Sequence, residues 1–135
     1  MNTGILIVDA DALTRGSVTK KLKQRGCTVI EARDLVQANQ ILRDNTIDVA
    51  VIDLVSLQKE ALVVLQMLKH VQPRAEAILL TAPEHIALSI KGMKLGAFDD
   101  LMVPVDVEAL LAKICAALEK IREEERKLTV AIPEG

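Results

Sequence analysis

The sequence IDVAVIDL at residues 47–54 is a mostly apolar run, and the second of its two carboxylates, Asp53, lies near its end. Runs of about four to eight aliphatic and β-branched residues predict strands that are buried on both faces. In an open α/β sheet, ligands and chemistry are found in the crevice outside the carboxyl ends of the strands. Asp53 is therefore the first candidate functional residue.

The rest of the chain repeats this pattern of strand and helix. Four further segments are predicted as strands, namely Ile5–Val8 before Asp9, Thr28–Ile30, Glu76–Leu80 before Thr81, and Phe98–Val103. Helical spacing of apolar residues covers Ala12–Arg25, Leu35–Asp44, Glu60–Val71, Pro83–Leu95 and the chain from Val105 onward. Such alternation predicts an α/β fold with a parallel sheet between two helical layers. We expect the flavodoxin-like (βα)5 three-layer sandwich with strand order 2-1-3-4-5.

Composition narrows the class of protein. The 135 residues are 50% hydrophobic, carry a net charge of −2, and include one Phe but no Trp or Tyr. Mixed charge and the lack of aromatic residues argue against a nucleic-acid partner. No apolar run reaches the roughly 18 residues of a membrane span, and the start does not resemble a signal peptide. Cys27 and Cys115 are predicted to be buried, reduced thiols, so we expect a cytoplasmic protein without a disulfide framework.

The last helix is predicted to extend past the domain. We expect a domain over residues 1–122, and a charged helix extension followed by a linker or tail over residues 123–135. Heptad spacing connects Ile114, Leu118, Ile121 and Leu128, with Glu125 interrupting it. The segment could form a coiled-coil seam that pairs two chains or leads to an output domain. The alternative is a charged helix end in solvent.

Polar side chains collect at the predicted carboxyl edge of the sheet. Asp9 and Asp53 end strands one and three, which are neighbours in the expected order, and Thr81 ends strand four. Two nearby carboxylates repel each other in low dielectric, and a hard cation such as Mg²⁺ relieves that repulsion. A carboxylate beside Mg²⁺ can accept a phosphoryl group, and the Thr81 hydroxyl could donate to a phosphoryl oxygen. The residues indicate a metal-assisted aspartyl-phosphate site.

The chain resembles the receiver domain of bacterial two-component response regulators over roughly residues 4 to 120. The resemblance rests on ILIVD at residues 5–9, Asp53-Leu54 with LVVL at 62–65, LTA at 80–82, GAFD at 96–99, Pro104, and EALL at 108–111. It implies that Asp53 is the phosphoacceptor and that the Thr81 hydroxyl follows the phosphoryl group. It also implies that Asp9 and the backbone carbonyl of Val55 belong to a Mg²⁺ site, with Asp11 as a weak further candidate.

The resemblance also implies partners. A sensor histidine kinase or phosphotransfer protein would supply the phosphoryl group. A downstream protein or an output domain would bind the face formed by helix 4, strand 5 and helix 5, and a homodimer is a further candidate assembly.

Several positions depart from the family pattern. Ala10 replaces the second of two adjacent acids, and Val103 replaces a Lys that pairs with the phosphoryl group. Losing that cation removes a charge-assisted contact. Asp100 stands where the family has an aromatic residue, and Ala61, where Gly is usual, suggests a different loop over residues 56–61. The Val103–Pro104 bond is a candidate cis peptide.

Three functions remain open at this point. The first is a phosphoacceptor switch at Asp53, and the second is a degenerate receiver that binds or dimerises without phosphorylation. Neither would turn over a substrate. The third is a haloacid-dehalogenase-like phosphatase with Asp9 as nucleophile, because Asp9-Ala10-Asp11 resembles an Asp-x-Asp motif and Asp99-Asp100 a late acidic pair.

Overall fold

The computed structural model describes residues 3–131, which form a parallel sheet between two helical layers. The strands are β1 (Gly4–Val8), β2 (Thr28–Ala32), β3 (Val49–Asp53), β4 (Glu76–Thr81) and β5 (Asp99–Met102). All pairings are parallel, and the order is β2-β1-β3-β4-β5. The predicted fold class and strand order are confirmed.

Each strand is followed by a long helix. These are α1 (Ala12–Gln24), α2 (Leu35–Asp44), α3 (Lys59–Val71), α4 (Ile86–Lys94) and α5 (Val107–Ala131). Two shorter elements precede α3 and α4, namely a single α-helical turn at Leu54–Leu57 and a 3-10 turn at Pro83–His85. Within residues 3–131, no helix is both long and apolar enough to cross a bilayer.

The core consists of two apolar clusters on opposite faces of the sheet. Alternate side chains of one strand enter different clusters, because successive strand residues point to opposite faces. In β3, Ala50 and Ile52 pack against α2 and α3, whereas Val49 and Val51 pack against α1 and α5. Every residue of β3 is buried. This double burial explains why the strand is a continuous apolar run.

Strand β5 lies at the edge of the sheet and tolerates two acids. Asp99 forms an ion pair with Lys113 of α5 at 2.7 Å, and Asp100 accepts a hydrogen bond of 2.7 Å from Ser89 of α4. Only one neighbouring strand pairs with β5, and its first three residues are half-buried while Met102 is exposed. The two acids therefore attach β5 to the helices on either face.

Helix α5 passes residue 122 without a break and ends at Ala131; residues 132–135 of the predicted tail lie outside the described part. Two residues of the predicted heptad seam, Ile114 and Ile121, are buried against the sheet, while Leu128 is 45% exposed. These two residues are part of the domain core and are not available to a second chain. The domain division at residue 122 and the homodimer stay predictions.

The prediction of two buried thiols is wrong for Cys115, whose side chain is exposed, and Cys27 is half-buried. Cys115 follows the buried Ile114 directly in the sequence. Neighbouring residues of a helix point about 100° apart, so Cys115 lies outside the core strip of α5.

The link between the Leu54–Leu57 turn and α3 is a single residue, Gln58, with a positive φ of 52°. The predicted loop over residues 56–61 is thus replaced by helical structure, and Ala61 is fully buried in α3. Residues other than glycine rarely adopt this backbone region, at a cost of about 1–3 kcal/mol.

Replacing Gln58 with glycine is expected to raise the free energy of unfolding by about 1 kcal/mol, because glycine adopts a positive φ without steric cost. The matched control is Gln40→Gly in the exposed interior of α2, which is expected to lower stability by about 1 kcal/mol. Urea denaturation of both variants measures the difference. Equal destabilisation by the two substitutions would contradict the strain at Gln58.

Candidate functional site

Three polar residues meet at the carboxyl edge of neighbouring strands. Asp9 follows β1, and Asp53 and Thr81 are the last residues of β3 and β4. They are almost completely buried, with 1%, 5% and 2% of their surface exposed. The register pairs Val8 with Ile52 and places β4 directly beside β3. The structure therefore brings together the acids and the hydroxyl that the sequence placed at this edge.

Asp53 is held in place by the turn that follows it. Its Oδ1 accepts a hydrogen bond from the Val55 N–H at 3.1 Å, and its Oδ2 accepts one from the Ser56 N–H at 3.2 Å. The side chain thus caps the helical turn Leu54–Leu57. Capping by an acid stabilises a helix start because the first N–H groups have no partner within the helix. The same contacts fix the carboxylate at the sheet edge.

Ser56 connects the two acidic segments. Its hydroxyl donates to Asp9 Oδ1 at 2.9 Å and accepts from the Ala10 N–H at 3.0 Å. The Asp11 N–H donates to the same Asp9 oxygen at 2.9 Å. Ser56 was not among the predicted site residues, because its contact with Asp9 joins segments that are 47 positions apart in the sequence and no local pattern marks it.

The second oxygen of Asp9, Oδ2, is buried and has no hydrogen-bond partner in the described structure. The pKa of Asp9 is raised from 3.8 to about 6, mainly by burial and also by the nearby charge of Asp53, while the hydrogen bonds from Asp11 and Ser56 oppose the shift. An ionised carboxylate without a counter-charge is costly in a buried setting. The site thus favours either a proton or a cation between the two acids.

Two buried carboxylates fit a Mg²⁺ site of the kind that uses one or two acids and completes its coordination with water and phosphate oxygens. Asp9 and Asp53 are the acids that would hold the ion, and the unpartnered Asp9 oxygen is the observation that supports it. Across residues 3–131, no three His, Cys, Asp or Glu side chains converge on a metal site. Ala10 contributes no oxygen from its side chain, so the site has fewer protein ligands than a closed metal cage.

Asp11 is occupied elsewhere. Its carboxylate accepts from the Leu13 N–H at 3.2 Å and from the Thr14 hydroxyl at 2.8 Å, and so caps α1. These bonds, led by that from Thr14, lower the pKa of Asp11. Asp11 also lines the cavity beside Asp53. Its role as a weak metal ligand stays a prediction.

Thr81 and Val103 lie at the carboxyl ends of β4 and β5, the strands that follow β3 in the sheet. The Thr81 hydroxyl donates a long hydrogen bond of 3.4 Å to the Ala82 carbonyl, and the Val103 N–H donates to the Thr81 carbonyl at 2.8 Å. The Val103–Pro104 peptide bond is cis, as the sequence resemblance implied. The apolar side chain of Val103 occupies the position where the resemblance implied a lysine.

A cavity of about 570 Å³ opens beside Asp53, between α1 and the segment after β5. Its lining includes Asp53, Val55, Ser56 and Val103, together with Leu13, Ser17 and Lys21 on α1. Lys21 adds a positive charge to this wall, and the sequence analysis did not single it out. Asp53 is only 5% exposed, and its accessible surface faces this cavity.

The chain matches known proteins over most of its length. The response regulator receiver domain family matches residues 5–115. Response regulator MprA of Mycobacterium ulcerans (strain Agy99) is 30% identical over 125 residues, which is 93% of this chain and 54% of MprA. The homologue in Mycobacterium tuberculosis (strain ATCC 25177 / H37Ra) is 29% identical over 132 residues. The chain spans about half the length of these curated relatives.

Solved structures agree with the sequence match. A CheY-like receiver domain protein from Methanospirillum hungatei JF-1 has a TM-score of 0.84 at 24% identity, covering 92% of this chain and 99% of that one. A response regulator protein from Burkholderia pseudomallei, with a phosphorylated aspartic acid, a calcium ion and citrate, has a TM-score of 0.76 at 24% identity, covering 92% and 73%. This chain belongs to the response regulator receiver domain family of two-component signalling.

Proposed function

We propose that this receiver domain accepts a phosphoryl group on Asp53 from a sensor histidine kinase or a phosphotransfer protein. The observation that carries the proposal is the buried pair of Asp53 and Asp9, in which one Asp9 oxygen has no hydrogen-bond partner among residues 3–131. Such a pair is stabilised by a divalent cation, and a cation at this position also favours a phosphoryl group on Asp53. Mg²⁺ is the ion we assign, held by Asp9, Asp53 and the Val55 carbonyl.

In the transfer step, one Asp53 oxygen bonds to phosphorus while the bond from phosphorus to the donor nitrogen breaks. Bound Mg²⁺ would neutralise negative charge on the phosphoryl oxygens. The Val55 and Ser56 N–H groups, which already contact the carboxylate, keep it oriented toward the cavity. Thr81 supplies a hydroxyl that can leave its long bond to Ala82 and donate to a phosphoryl oxygen.

The output surface is the face of α4, β5 and α5. Ser89–Asp100 joins α4 to β5, and Lys113–Asp99 joins α5 to β5, so the three elements are coupled by short polar contacts. Thr81 ends β4 beside β5, which links the phosphoryl site to this face. A downstream protein, or an output domain of the kind that would account for the greater length of the relatives, is the expected partner.

A second candidate is a degenerate receiver that binds its partners without phosphorylation. Two observations favour it: Val103 places an apolar side chain in the cavity, and Ala10 adds no carboxylate. Without the lysine ammonium group that the resemblance implied at position 103, phosphoryl transfer loses a charge-assisted contact. No comparable observation favours the phosphatase, since Asp99 and Asp100 are engaged by Lys113 and Ser89.

Intact mass after incubation with acetyl phosphate distinguishes the two candidates. We expect the wild-type chain to gain one phosphoryl group when Mg²⁺ is present and to gain none in EDTA. Asp53→Asn should remove the gain, whereas Asp44→Asn, at the exposed end of α2, should leave it unchanged. A folded wild-type sample that gains no mass at any Mg²⁺ concentration would favour the degenerate receiver.

A further inference from the structure

Helix α5 carries different contacts on its two flanks. On one flank Lys113 forms its ion pair with Asp99 of β5. On the other flank Glu108 forms an ion pair with Arg25, the residue that ends α1. At 100° per residue, Cys115 lies about 20° from Glu108 around the helix axis and two turns further along. Cys115 is therefore on the flank that faces the end of α1.

Cys27 lies close to the same end of α1. It lies in the turn between α1 and β2, two residues after Arg25, and its N–H donates to the Leu22 carbonyl at 3.2 Å. Its half-buried side chain packs against the apolar cluster that also takes Leu111 and Leu118 of α5. These two leucines are four residues before and three residues after Cys115, which places the exposed thiol between them along the helix.

The Cys27 thiol is affected both by burial and by Cys115. Burial raises the pKa of the Cys27 thiol, and the charge of Cys115 raises it further. Both cysteines are free in this structure. Cys115 is exposed to solvent reagents, while Cys27 is screened by the apolar cluster. The pair thus consists of an accessible thiol and a sheltered thiol on two adjoining elements.

We propose that Cys27 and Cys115 are a redox-sensitive pair that a small disulfide such as oxidised glutathione converts to an intramolecular disulfide. The Cys115 thiolate attacks one glutathione sulfur, and the first glutathione leaves as a thiolate. The Cys27 thiolate then attacks the Cys115 sulfur of the mixed disulfide, and the second glutathione leaves. Two protein thiols are oxidised and one glutathione disulfide is reduced to two glutathione molecules, which take up the two protons.

The disulfide would join two parts of the domain that have different roles. Helix α1 lines the cavity beside Asp53, and α5 continues to Ala131. The bridge would restrain the end of α1 against α5 without touching Asp9 or Asp53. The inference is independent of phosphoryl transfer, so its success or failure does not depend on the proposed function.

The test uses the full chain incubated with oxidised glutathione and then alkylated under non-reducing conditions. We expect the wild-type protein to stay monomeric, to lose two hydrogen atoms in intact mass, and to have no alkylated thiol. In the Cys27→Ser variant, the reaction should end at the glutathione adduct on Cys115. The oxidised wild-type protein should unfold at a temperature at least about 5 °C higher than the reduced one, because the bridge closes a long loop of the unfolded chain.

Two controls make the result specific. Asp53→Asn should form the bridge as readily as the wild type, and reduction with dithiothreitol should return the original unfolding temperature. A stable glutathione adduct on wild-type Cys115, with Cys27 still alkylated, would overturn the proposal. Dimers linked through Cys115 would overturn it equally, because they would show that the exposed thiol reacts with other chains in preference to Cys27.

Discussion

Replacing Val103 with lysine should accelerate phosphorylation of Asp53 by acetyl phosphate by about 10- to 100-fold. Val103 lines the cavity with Asp53, and its N–H is bonded to the Thr81 carbonyl, so a longer side chain at this position can reach an incoming phosphoryl group. A hydrogen bond to a charged group contributes about 1.5–3 kcal/mol, and about 1.4 kcal/mol corresponds to a tenfold rate. The rate is measured as the growth of the phosphorylated mass with time.

The control for this substitution is Val103→Met, which has a similar length and no charge. We expect this variant to be phosphorylated on Asp53 at the wild-type rate, so that any acceleration in the lysine variant is due to its ammonium group. Equal rates for Val103→Lys and wild type, with both folded, would mean that the cavity beside Asp53 does not hold the phosphoryl group.

Replacing Asp9 with asparagine should raise the free energy of unfolding by about 2–3 kcal/mol at pH 7.5 in EDTA. The pKa of Asp9 is raised from 3.8 to about 6, so the folded chain holds this proton more tightly than the unfolded chain does. The contribution of Asp9 to the stability of the wild type is therefore fully present below about pH 4 and is lost as the pH rises through about 6. Asparagine keeps the acceptor oxygen for Asp11 and Ser56 and carries no charge.

Urea denaturation at pH 4 and pH 7.5 measures this effect. The gain from Asp9→Asn should nearly vanish at pH 4, where Asp9 of the folded wild type is protonated, and Asp44→Asn should show no such gain at pH 7.5. Adding Mg²⁺ at pH 7.5 should stabilise the wild type and have a smaller effect on Asp9→Asn. A variant that is less stable than wild type at pH 7.5 would contradict the buried, unneutralised charge.

The main features of the fold were predictable because each has a local signal. A buried strand such as β3 must be apolar on both faces, so its limits can be read from its residues. Asp34 directly precedes the predicted helix Leu35–Asp44, and its side chain caps α2 by accepting a hydrogen bond from the Gln37 N–H at 2.9 Å. Gly26 and Gly96 have positive φ angles of 86° and 106° just after α1 and α4, where the sequence predicted both helices to stop.

The acids of the site were predictable for a topological reason. Once strands one and three are neighbours, Asp9 and Asp53 must lie at the same edge of the sheet, and the structure has this arrangement. Their assigned roles as metal ligand and phosphoacceptor stay predictions. Asp11 caps α1, and this role depends on its own backbone angles and on its bond with Thr14. The sequence pattern could not distinguish this capping role from a role as a metal ligand.

Contacts between distant segments were not predictable. Ser56 reaches Asp9 across 47 positions of the sequence, and no periodicity indicates which serine will do so. The positive φ of Gln58 results from joining a helical turn directly to α3. Residue propensities predict glycine at such a position, so they do not point to Gln58. The packing of Cys27 against the same apolar cluster as Leu111 and Leu118 of α5 is likewise fixed by the tertiary structure, and not by the heptad pattern.

Reduction of the phosphorylated chain with borohydride is the most direct test of the central claim that Asp53 is the phosphoacceptor. Borohydride converts an aspartyl phosphate to homoserine, so the modified position can be read by peptide sequencing. We predict homoserine at position 53 alone, dependent on Mg²⁺ and on acetyl phosphate. Homoserine at position 9 or 11 and none at position 53 would contradict the account, because the nucleophile would then be in the segment that follows β1.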